Sequence, residues 1–298
     1  MKILVTGSTG LVGSALVPLL KAKGHEVVRA VRRPTEKASE VYWNPEKGTV
    51  DAARLSGMDA AVNLAGENIA ERWTEEKKRR IRESRVKGTR LLSETLAQLE
   101  PKPRVLVSAS AIGIYGNRGA EILTEESSYG DDFLATVCRE WEAATAPASE
   151  SGIRVVMPRI GIVLSTKGGA LAKMLTPFKF GVGGKVGSGK QFMSWIALDD
   201  VAGIIAYALE NEALSGAVNT VAPTPVTNYE FTKTLGRAIS RPTIFPIPAF
   251  GLRLAFGEEM ADGTLLSSAR VEPVRLKEAG YEFQYPTLEG ALRHVLKE

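Results

Sequence analysis

Short apolar runs and longer segments of helical spacing follow one another along the first part of the chain. Residues 2–6 form an apolar run, and residues 11–23 carry apolar side chains at the three- and four-residue spacing of a helix that ends at Gly24. Residues 27–31 form a second apolar run. A strand, a turn, a helix and a strand within 31 residues are typical of the first half of a parallel α/β sheet.

The same pattern continues to about residue 165. Apolar runs predict strands at 58–64, 104–109 and 154–158, and helical spacing predicts helices at 74–98 and 132–150. The runs are continuous rather than alternating, which indicates strands that are covered on both faces. We therefore predict an α/β fold with a doubly wound parallel sheet of the Rossmann type.

Glycine and proline become frequent after residue 165. Seven glycines fall between residues 168 and 189, a helix is predicted at 198–211, and a strand at 217–221. We predict a Rossmann domain over residues 1–165 and a smaller mixed α/β C-terminal lobe over residues 166–298. We expect residues 195–225 to return to the first sheet.

A glycine-rich turn joins the first predicted strand to the first predicted helix. Gly7 permits a tight turn, Gly10 lets backbone N–H groups approach a pyrophosphate, and Gly13 lets the helix lie close to the sheet. The N-terminus of the helix adds positive potential. Since the motif follows a strand and opens a helix, it predicts a dinucleotide site. The predicted contacts are Gly7, Thr9, Gly10, Leu11, Val12 and Gly13.

Two arginines follow the second predicted strand, where a carboxylate would accept the 2′-hydroxyl of NAD. Arg32 and Arg33 stand there instead, and guanidinium groups bind phosphate with paired hydrogen bonds. The pair therefore predicts NADP(H), whose adenosine ribose carries a 2′-phosphate. The alternative is that both are solvated loop arginines.

Several segments resemble the extended short-chain dehydrogenase/reductase superfamily, in its atypical epimerase-family branch. Beside the glycine turn, the segments are Asn63–Gly66, Val107–Gly116, Arg159–Leu164 and Ser194–Ala202. The resemblance implies a characteristic C-terminal domain. It also implies further cofactor contacts at Leu64, Ala65, Gly66, Arg85, Ser108 and Arg159. For Arg85 and Arg159 a surface ion pair is the alternative.

The resemblance breaks at the catalytic pair. Members of the superfamily use a tyrosine and a lysine four residues later on one helix, and the tyrosine exchanges a proton with the substrate during hydride transfer. In the helix after Gly130 the aligned positions hold Leu134 and Cys138. Ser110 remains a catalytic candidate that polarises a carbonyl, and Tyr115 a candidate acid. Their alternatives are a structural hydroxyl and a packed aromatic ring.

A second glycine-rich stretch spans residues 180–191. Its backbone N–H groups, with Lys185 and Lys190, are suited to an anionic ligand, and in extended relatives this region borders the substrate. The resemblance implies a small-molecule substrate, either a nucleotide sugar or another small carbonyl or hydroxyl compound, and a homodimer. The alternative for the stretch is a mobile surface loop.

Composition narrows the remaining classes. The 298 residues carry a net charge of +4, and the densest basic cluster, at 77–82, is interpreted as a solvated helix face rather than a nucleic-acid site. No uncharged apolar run approaches the ~20 residues that a membrane helix needs. Cys138 is the single cysteine, which together with the lack of a signal-peptide core predicts a cytoplasmic protein. His25 and His294 lack metal-ligand spacing, so we expect no metal site.

The sequence thus predicts an NADP(H)-binding oxidoreductase or epimerase-like protein without the usual tyrosine–lysine pair. The alternative is a non-catalytic NADP(H)-dependent sensor or scaffold. The missing pair motivates this alternative, because leucine transfers no proton.

Overall fold

The computed structural model describes residues 1–297. The strands are β1 (Lys2–Thr6), β2 (Glu26–Val31), β3 (Glu40–Asn44), β4 (Thr49–Val50), β5 (Ala60–Asn63), β6 (Val105–Ser108), β7 (Ser110–Ala111), β8 (Ile122–Leu123), β9 (Arg154–Ile160), β10 (Ile162–Leu164), β11 (Phe192–Met193), β12 (Trp195–Ala197), β13 (Gly216–Thr220), β14 (Val226–Thr227) and β15 (Arg270–Val271). The helices are α1 (Leu11–Ala22), α2 (Glu75–Ala97), α3 (Phe133–Ala143), α4 (Ala146–Glu150), α5 (Gly169–Lys179), α6 (Leu198–Glu210), α7 (Asn228–Ala238), α8 (Ala249–Phe256), α9 (Glu258–Met260), α10 (Val274–Glu278) and α11 (Leu288–Val295). Short 3-10 turns span Ala52–Leu55 and Ile112–Tyr115, and a π-helical turn spans Ala261–Leu265.

The central sheet has the strand order β13-β9-β6-β5-β1-β2-β3-β4, and all its neighbours are parallel except β3 and β4. Hydrophobic clusters cover both faces. Ile3 and Val5 belong to the cluster that includes side chains of α1 and α6, whereas Leu4 belongs to the cluster with α2 and α4. This division follows from the two-residue period of a strand, and it confirms the predicted doubly wound sheet.

Local signals set the helix boundaries. The Thr74 hydroxyl accepts the Lys77 N–H at 3.1 Å and caps the start of α2. Gly24 follows α1 with φ +81°, a conformation that favours glycine. The helix predicted over 132–150 is two helices, α3 and α4. Pro147 falls in the first turn of α4, where its missing N–H costs no hydrogen bond, so a new helix starts there.

The segment after residue 165 pairs with the first part of the chain in three sheets, and in one of them β12 pairs with β10. Strand β13 pairs with β9 at the edge of the central sheet, and β15 pairs with β8. A further cluster, with side chains of α5, α7 and α11, forms the core of the C-terminal lobe. The predicted division into two domains at residue 165 stays a prediction, because strands from the two parts pair in the same sheets.

No helix within residues 1–297 combines the length and the apolar character needed to cross a membrane.

Candidate functional site

A row of polar side chains ends three neighbouring strands of the central sheet. Thr6, Asn63 and Ser108 are paired in register across β1, β5 and β6. The Thr6 hydroxyl donates to Asn63 Oδ1 at 2.7 Å and accepts the N–H groups of Leu64 and Ala65 at 3.1 and 3.2 Å. These bonds fix the turn after β5 at the carboxyl edge of the sheet, where α/β folds bind ligands.

Ser108 does not reach the surface of this edge. Its side chain is 1% exposed, and its hydroxyl accepts a hydrogen bond from Asn63 Nδ2 at 3.2 Å. A buried hydroxyl that already has a partner is a structural group. The predicted contact between Ser108 and the cofactor is therefore not supported by the geometry.

The glycine turn lies directly against the turn after β5. Gly7 has φ +63°, and a Cβ there would come within 2.7 Å of the Leu64 carbonyl carbon. A Cβ on Gly13 would come within 2.3 Å of the Gly7 oxygen. Both positions therefore exclude any side chain. Gly7 is required by the tight turn, and Gly13 by the close packing of the helix, which are the roles that the motif predicts.

The N-terminus of α1 opens outward from this turn. Gly10 is the N-cap, no side chain caps the helix, and Thr9 and Gly10 are exposed. The first N–H groups of a helix need an acceptor from outside the helix. Since the helix dipole also favours negative charge here, the cradle fits the pyrophosphate of a dinucleotide.

A buried carboxylate binds one of the two arginines that follow β2. Glu40 is 2% exposed, and it accepts hydrogen bonds from Arg29 and Arg33 at 2.9 Å each. The Thr35 hydroxyl, then the Arg33 and Arg29 guanidinium groups, hold the pKa of Glu40 below its usual value. The Arg33 side chain is 60% exposed, and Arg32 is exposed beside it. Arg32 and Arg33 thus lie at the carboxyl end of β2, and their contact with a 2′-phosphate stays a prediction.

Arg85 lies on α2 beside the turn after β5. Its guanidinium stacks on the Trp141 ring at 5.1 Å and donates from Nη1 to the Ile81 carbonyl at 3.1 Å. A Cβ on Gly66 would come within 3.2 Å of Arg85 Cζ. Burial lowers the pKa of Arg85. Within residues 1–297 it forms no ion pair, so the alternative of a surface ion pair is wrong, whereas its contact with the cofactor stays a prediction.

A buried ion pair occupies the neighbouring strand end. Arg159 Nε and Nη2 donate to the two oxygens of Glu142 at 2.8 and 2.9 Å, and Ser110 Oγ donates to Glu142 Oε1 at 2.7 Å. Burial alone would lower the pKa of Arg159, but the hydrogen bonds and charge of Glu142 raise it above its ordinary value. Ser110 and Arg159 are each 2% exposed. The predicted contact between Arg159 and the cofactor is not supported, because its guanidinium faces the interior.

Tyr115 extends this pair into the core. Its hydroxyl donates to Asn219 Oδ1 at 2.7 Å and accepts from Arg159 at 2.9 Å, and the residue is 0% exposed. Burial raises the pKa of Tyr115. A phenol with no accessible surface and two partners is a packed aromatic residue. The structure therefore contradicts the prediction that Tyr115 acts as the acid.

The helix positions of the expected catalytic pair hold neutral groups. Leu134 and Cys138 both lie next to Gly113. Burial raises the pKa of the Cys138 thiol to about 12. At neutral pH this thiol stays protonated, and it therefore does not replace a tyrosine or a lysine.

A tyrosine and a lysine four residues apart do occur on another helix. Tyr229 and Lys233 are on α7, and the Lys233 ammonium lies 5.6 Å from the centre of the Tyr229 ring. However, α7 packs in the C-terminal lobe with α11, and Lys233 donates to Thr243. The pair is thus outside the central sheet, and the Tyr229 N–H donates to the Gly189 carbonyl of the second glycine-rich stretch at 2.9 Å.

The second glycine-rich stretch is packed along the segment 245–247. A Cβ on Gly184 would come within 1.7 Å of the Phe245 oxygen. Backbone hydrogen bonds join Ile247 N to Lys185 O at 2.8 Å and Gly187 N to Ile247 O at 2.9 Å. These contacts favour an ordered segment over a mobile loop. The role of residues 180–191 in substrate binding stays a prediction.

The basic cluster at 77–82 is largely paired with carboxylates. Lys77 is 5% exposed, and its ammonium donates to Glu67 and Glu71 at 2.7 Å each. The hydrogen bonds of Glu67 and Glu71 raise the pKa of Lys77 despite its burial. The interpretation as a solvated helix face is therefore wrong for Lys77, which holds the loop before α2.

Three or more histidine, cysteine, aspartate or glutamate side chains do not converge into a metal-binding group anywhere in the described part of the chain. His25 lies 3.3 Å from Glu210, and His294 lies 3.1 Å from Asp199.

The similarity to known proteins extends well beyond the glycine turn. A model of the NAD dependent epimerase/dehydratase family matches residues 3–221. The chain belongs to this family. A model of a C-terminal domain of unknown function, DUF1731, matches residues 247–295. Together the two matches confirm the resemblance inferred from the sequence motifs.

Relatives of this family are similar to the chain over nearly its whole length. The epimerase family protein Mb2239 of Mycobacterium bovis is 45% identical over 98% of this chain and 97% of that protein. The structure of human epimerase family protein SDR39U1 with NADPH superposes with a TM-score of 0.91 at 37% identity, covering 100% of this chain and 99% of that chain. A nucleoside-diphosphate sugar epimerase from Corynebacterium glutamicum gives a TM-score of 0.82 at 41% identity, covering 99% of this chain and 58% of that chain.

Proposed function

We propose that this family member binds NADP(H) at the carboxyl edge of its sheet. The observation that carries the proposal is the uncapped N-terminus of α1 behind a turn in which Gly7 and Gly13 exclude side chains. In support, the human relative with the same fold was solved with NADPH. Backbone N–H groups after Gly10 would hold the pyrophosphate, and Arg32 and Arg33 would hold the 2′-phosphate.

Arg32 and Arg33 provide the test of this binding mode. We expect Arg32→Ala and Arg33→Ala each to weaken NADPH binding about 10–100-fold, the loss of one or two charge-assisted hydrogen bonds. NADH binding should change less than about twofold, since it lacks the 2′-phosphate. Isothermal titration measures both affinities, and Arg90→Ala, a change at an exposed arginine of α2, is the control. Equal losses for NADPH and NADH would contradict the proposal.

The reaction we propose is the oxidoreduction or epimerisation of a small carbonyl or hydroxyl compound. The nicotinamide, when bound, would supply a hydride as NADPH or accept one as NADP⁺. Ser110 is the group of this chain that can orient a carbonyl, provided that its hydroxyl turns away from Glu142. This turn leaves Glu142 its two hydrogen bonds from Arg159, and Ser110, which is 2% exposed, must also become accessible to the carbonyl.

The structure leaves neither Tyr115 nor Cys138 as the proton donor. Tyr115 is buried behind Arg159, and Cys138 remains protonated at neutral pH. We therefore propose that water exchanges the proton with the substrate. Carbonyl reduction is tested by the loss of NADPH absorbance at 340 nm with a library of carbonyl compounds, and hydroxyl oxidation by its gain with NADP⁺ and hydroxyl compounds. Epimerisation of sugar nucleotides leaves no net change in the cofactor and is tested by NMR of the sugars. Ser110→Ala is the variant that should lose turnover in each assay.

A non-catalytic, NADP(H)-dependent sensor or scaffold is the second candidate. The observation that favours it is the pair of neutral side chains, Leu134 and Cys138, at the catalytic helix positions. This function requires tight NADPH binding with no turnover of any library member. It also requires a protein partner whose binding changes with NADPH, which affinity capture with and without the nucleotide would detect.

A further inference from the structure

Arg85 is a partly buried cation that has no anionic partner within the described residues. Its single protein acceptor within residues 1–297 is the Ile81 carbonyl on the preceding turn of α2, at 3.1 Å. A guanidinium carries five N–H donors, so most of its hydrogen-bonding capacity is unused. Removing such a charge from water is costly unless another group compensates it.

The unused donors of Arg85 remain open to a ligand. Within the described residues, a few side-chain nitrogen and oxygen atoms are fully enclosed and have no hydrogen-bond partner, and none of them belongs to Arg85. The residue as a whole is only partly buried. Gly66 contributes to this opening, because a Cβ there would lie 3.2 Å from Cζ. The indole of Trp141 covers another part of the guanidinium.

The charged groups around Arg85 do not neutralise it. Glu67 attracts it at longer range, but its carboxylate is bonded to the Lys77 ammonium at 2.7 Å and lies 3.4 Å from Arg80. The Cys138 thiol is neutral at physiological pH. A bound anion would therefore meet a guanidinium whose charge no carboxylate of the described residues compensates.

We propose that Arg85 is the receptor for an oxyanion of the substrate, a carboxylate or a phosphate group. The proposal rests on the proposed NADP(H) function, in which the glycine turn and the arginines after β2 already match the cofactor phosphates. The cofactor's reduced nicotinamide and its ribose are neutral, and they leave the charge of Arg85 uncompensated. Arg85 also faces α3 at Cys138 and Trp141, the helix whose family counterpart acts on the substrate. The substrate class is thus narrowed to small organic acids and phosphorylated compounds.

The test is a titration of oxalate and of inorganic phosphate, each into the protein with and without saturating NADPH, at constant ionic strength. Acetamide serves as a neutral probe. We expect Arg85→Gln to weaken binding of at least one oxyanion about tenfold or more, because one paired, charge-assisted contact is lost. Arg85→Lys should retain part of the affinity, and Arg90→Gln on the same helix should leave it unchanged.

The affinity for NADPH separates this proposal from the proposed function. We expect Arg85→Gln to change NADPH affinity less than about twofold, since the proposal assigns Arg85 to the substrate oxyanion and not to the cofactor. Oxyanion affinity that is equal in the wild type and Arg85→Gln would overturn the inference, as would an effect on NADPH alone. A wild-type protein that does not bind NADPH would refute the proposed function, while the nucleotide-free titration would still test Arg85.

Discussion

At the scale of single residues, Glu40 shows how a buried carboxylate orients cationic side chains at the surface. Its two oxygens bind Arg29, Arg33 and the Thr35 hydroxyl, and the sheet excludes water from it. Arg33 keeps donors on its exposed side, because only Nη2 is bonded to Glu40. The carboxylate thus restrains the guanidinium while leaving it able to bind a phosphate.

Glu40 should make the stability of the folded protein depend on pH in the acidic range. Its pKa is lowered in the folded protein, so its stabilising effect is complete above the unfolded-state pKa of about 4.3 and is lost as pH falls through the folded-state pKa. We therefore expect the melting temperature of the wild type to fall more steeply below pH 5 than that of Glu40→Gln. Thermal unfolding between pH 3 and pH 7 measures this, with Glu36→Gln at an exposed neighbour as the control. Parallel curves for the wild type and Glu40→Gln would contradict it.

At the scale of elements, the Glu142–Arg159 pair attaches α3 to β9. Both side chains are at least nine-tenths buried, and the pair is hydrogen-bonded on each carboxylate oxygen. Removal of one partner leaves a buried charge without compensation, which is the costly way to disrupt such a pair. The pair therefore fixes the position of the helix that carries Leu134 and Cys138.

We expect Glu142→Ala to lower the free energy of unfolding by about 3–5 kcal/mol, because Arg159 would stay buried without its partner. Glu140, two residues earlier on α3, forms an ion pair with the exposed Arg82, so Glu140→Ala should cost less than about 1 kcal/mol. Urea unfolding of both variants measures the difference. Equal losses for the two variants would show that the buried pair has no special role.

The helices and parallel strands of the first part could be predicted because their signals are local. A glycine that ends α1 or a threonine that caps α2 lies within a few residues of the helix it delimits. The interior network could not be predicted, since Tyr115 and Asn219 are 104 residues apart. A glutamate on a predicted helix is also ordinarily solvated, so nothing in the sequence marked Glu142 as the partner of Arg159.

The sequence predicts the position of the cofactor-side residues better than it predicts the orientation of the residues on the substrate side. The glycine turn and the two arginines follow directly from strands whose positions were predicted. The roles expected for Ser108, Tyr115 and Arg159 depended on which face of a strand or turn each side chain occupies. Only tertiary packing decides that face, and it directs all three toward the interior.

At the scale of the whole molecule, the sheet and the C-terminal lobe are joined by side chains as well as strands. Asn219 on β13 accepts from Tyr115 and donates to the Glu272 carbonyl at 2.9 Å. The Ser268 carbonyl accepts the Arg118 N–H at 2.8 Å, and the Ser268 N–H donates to Asn117 Oδ1 at 3.2 Å. These hydrogen bonds would be lost if either the central sheet or the C-terminal lobe unfolded alone.

We therefore expect one cooperative unfolding transition for the whole chain. Scanning calorimetry should give a van't Hoff enthalpy close to the calorimetric enthalpy, which is the signature of a two-state transition. Saturating NADPH should raise the transition temperature without splitting the peak, since a ligand that binds only the folded state stabilises the whole cooperative unit. Two resolved peaks would mean that the lobes unfold independently.

The pairing of β13 with β9 also has a consequence for synthesis on the ribosome. The edge of β9 next to β13 has no neighbour until residues 216–220 have emerged, and β8 waits for residues 270–271. At ~5–20 residues per second, the nascent chain exposes an unpaired parallel strand for several seconds. An unpaired edge of this kind invites pairing with other chains. A newly made chain is therefore most prone to aggregate before its last third has been translated.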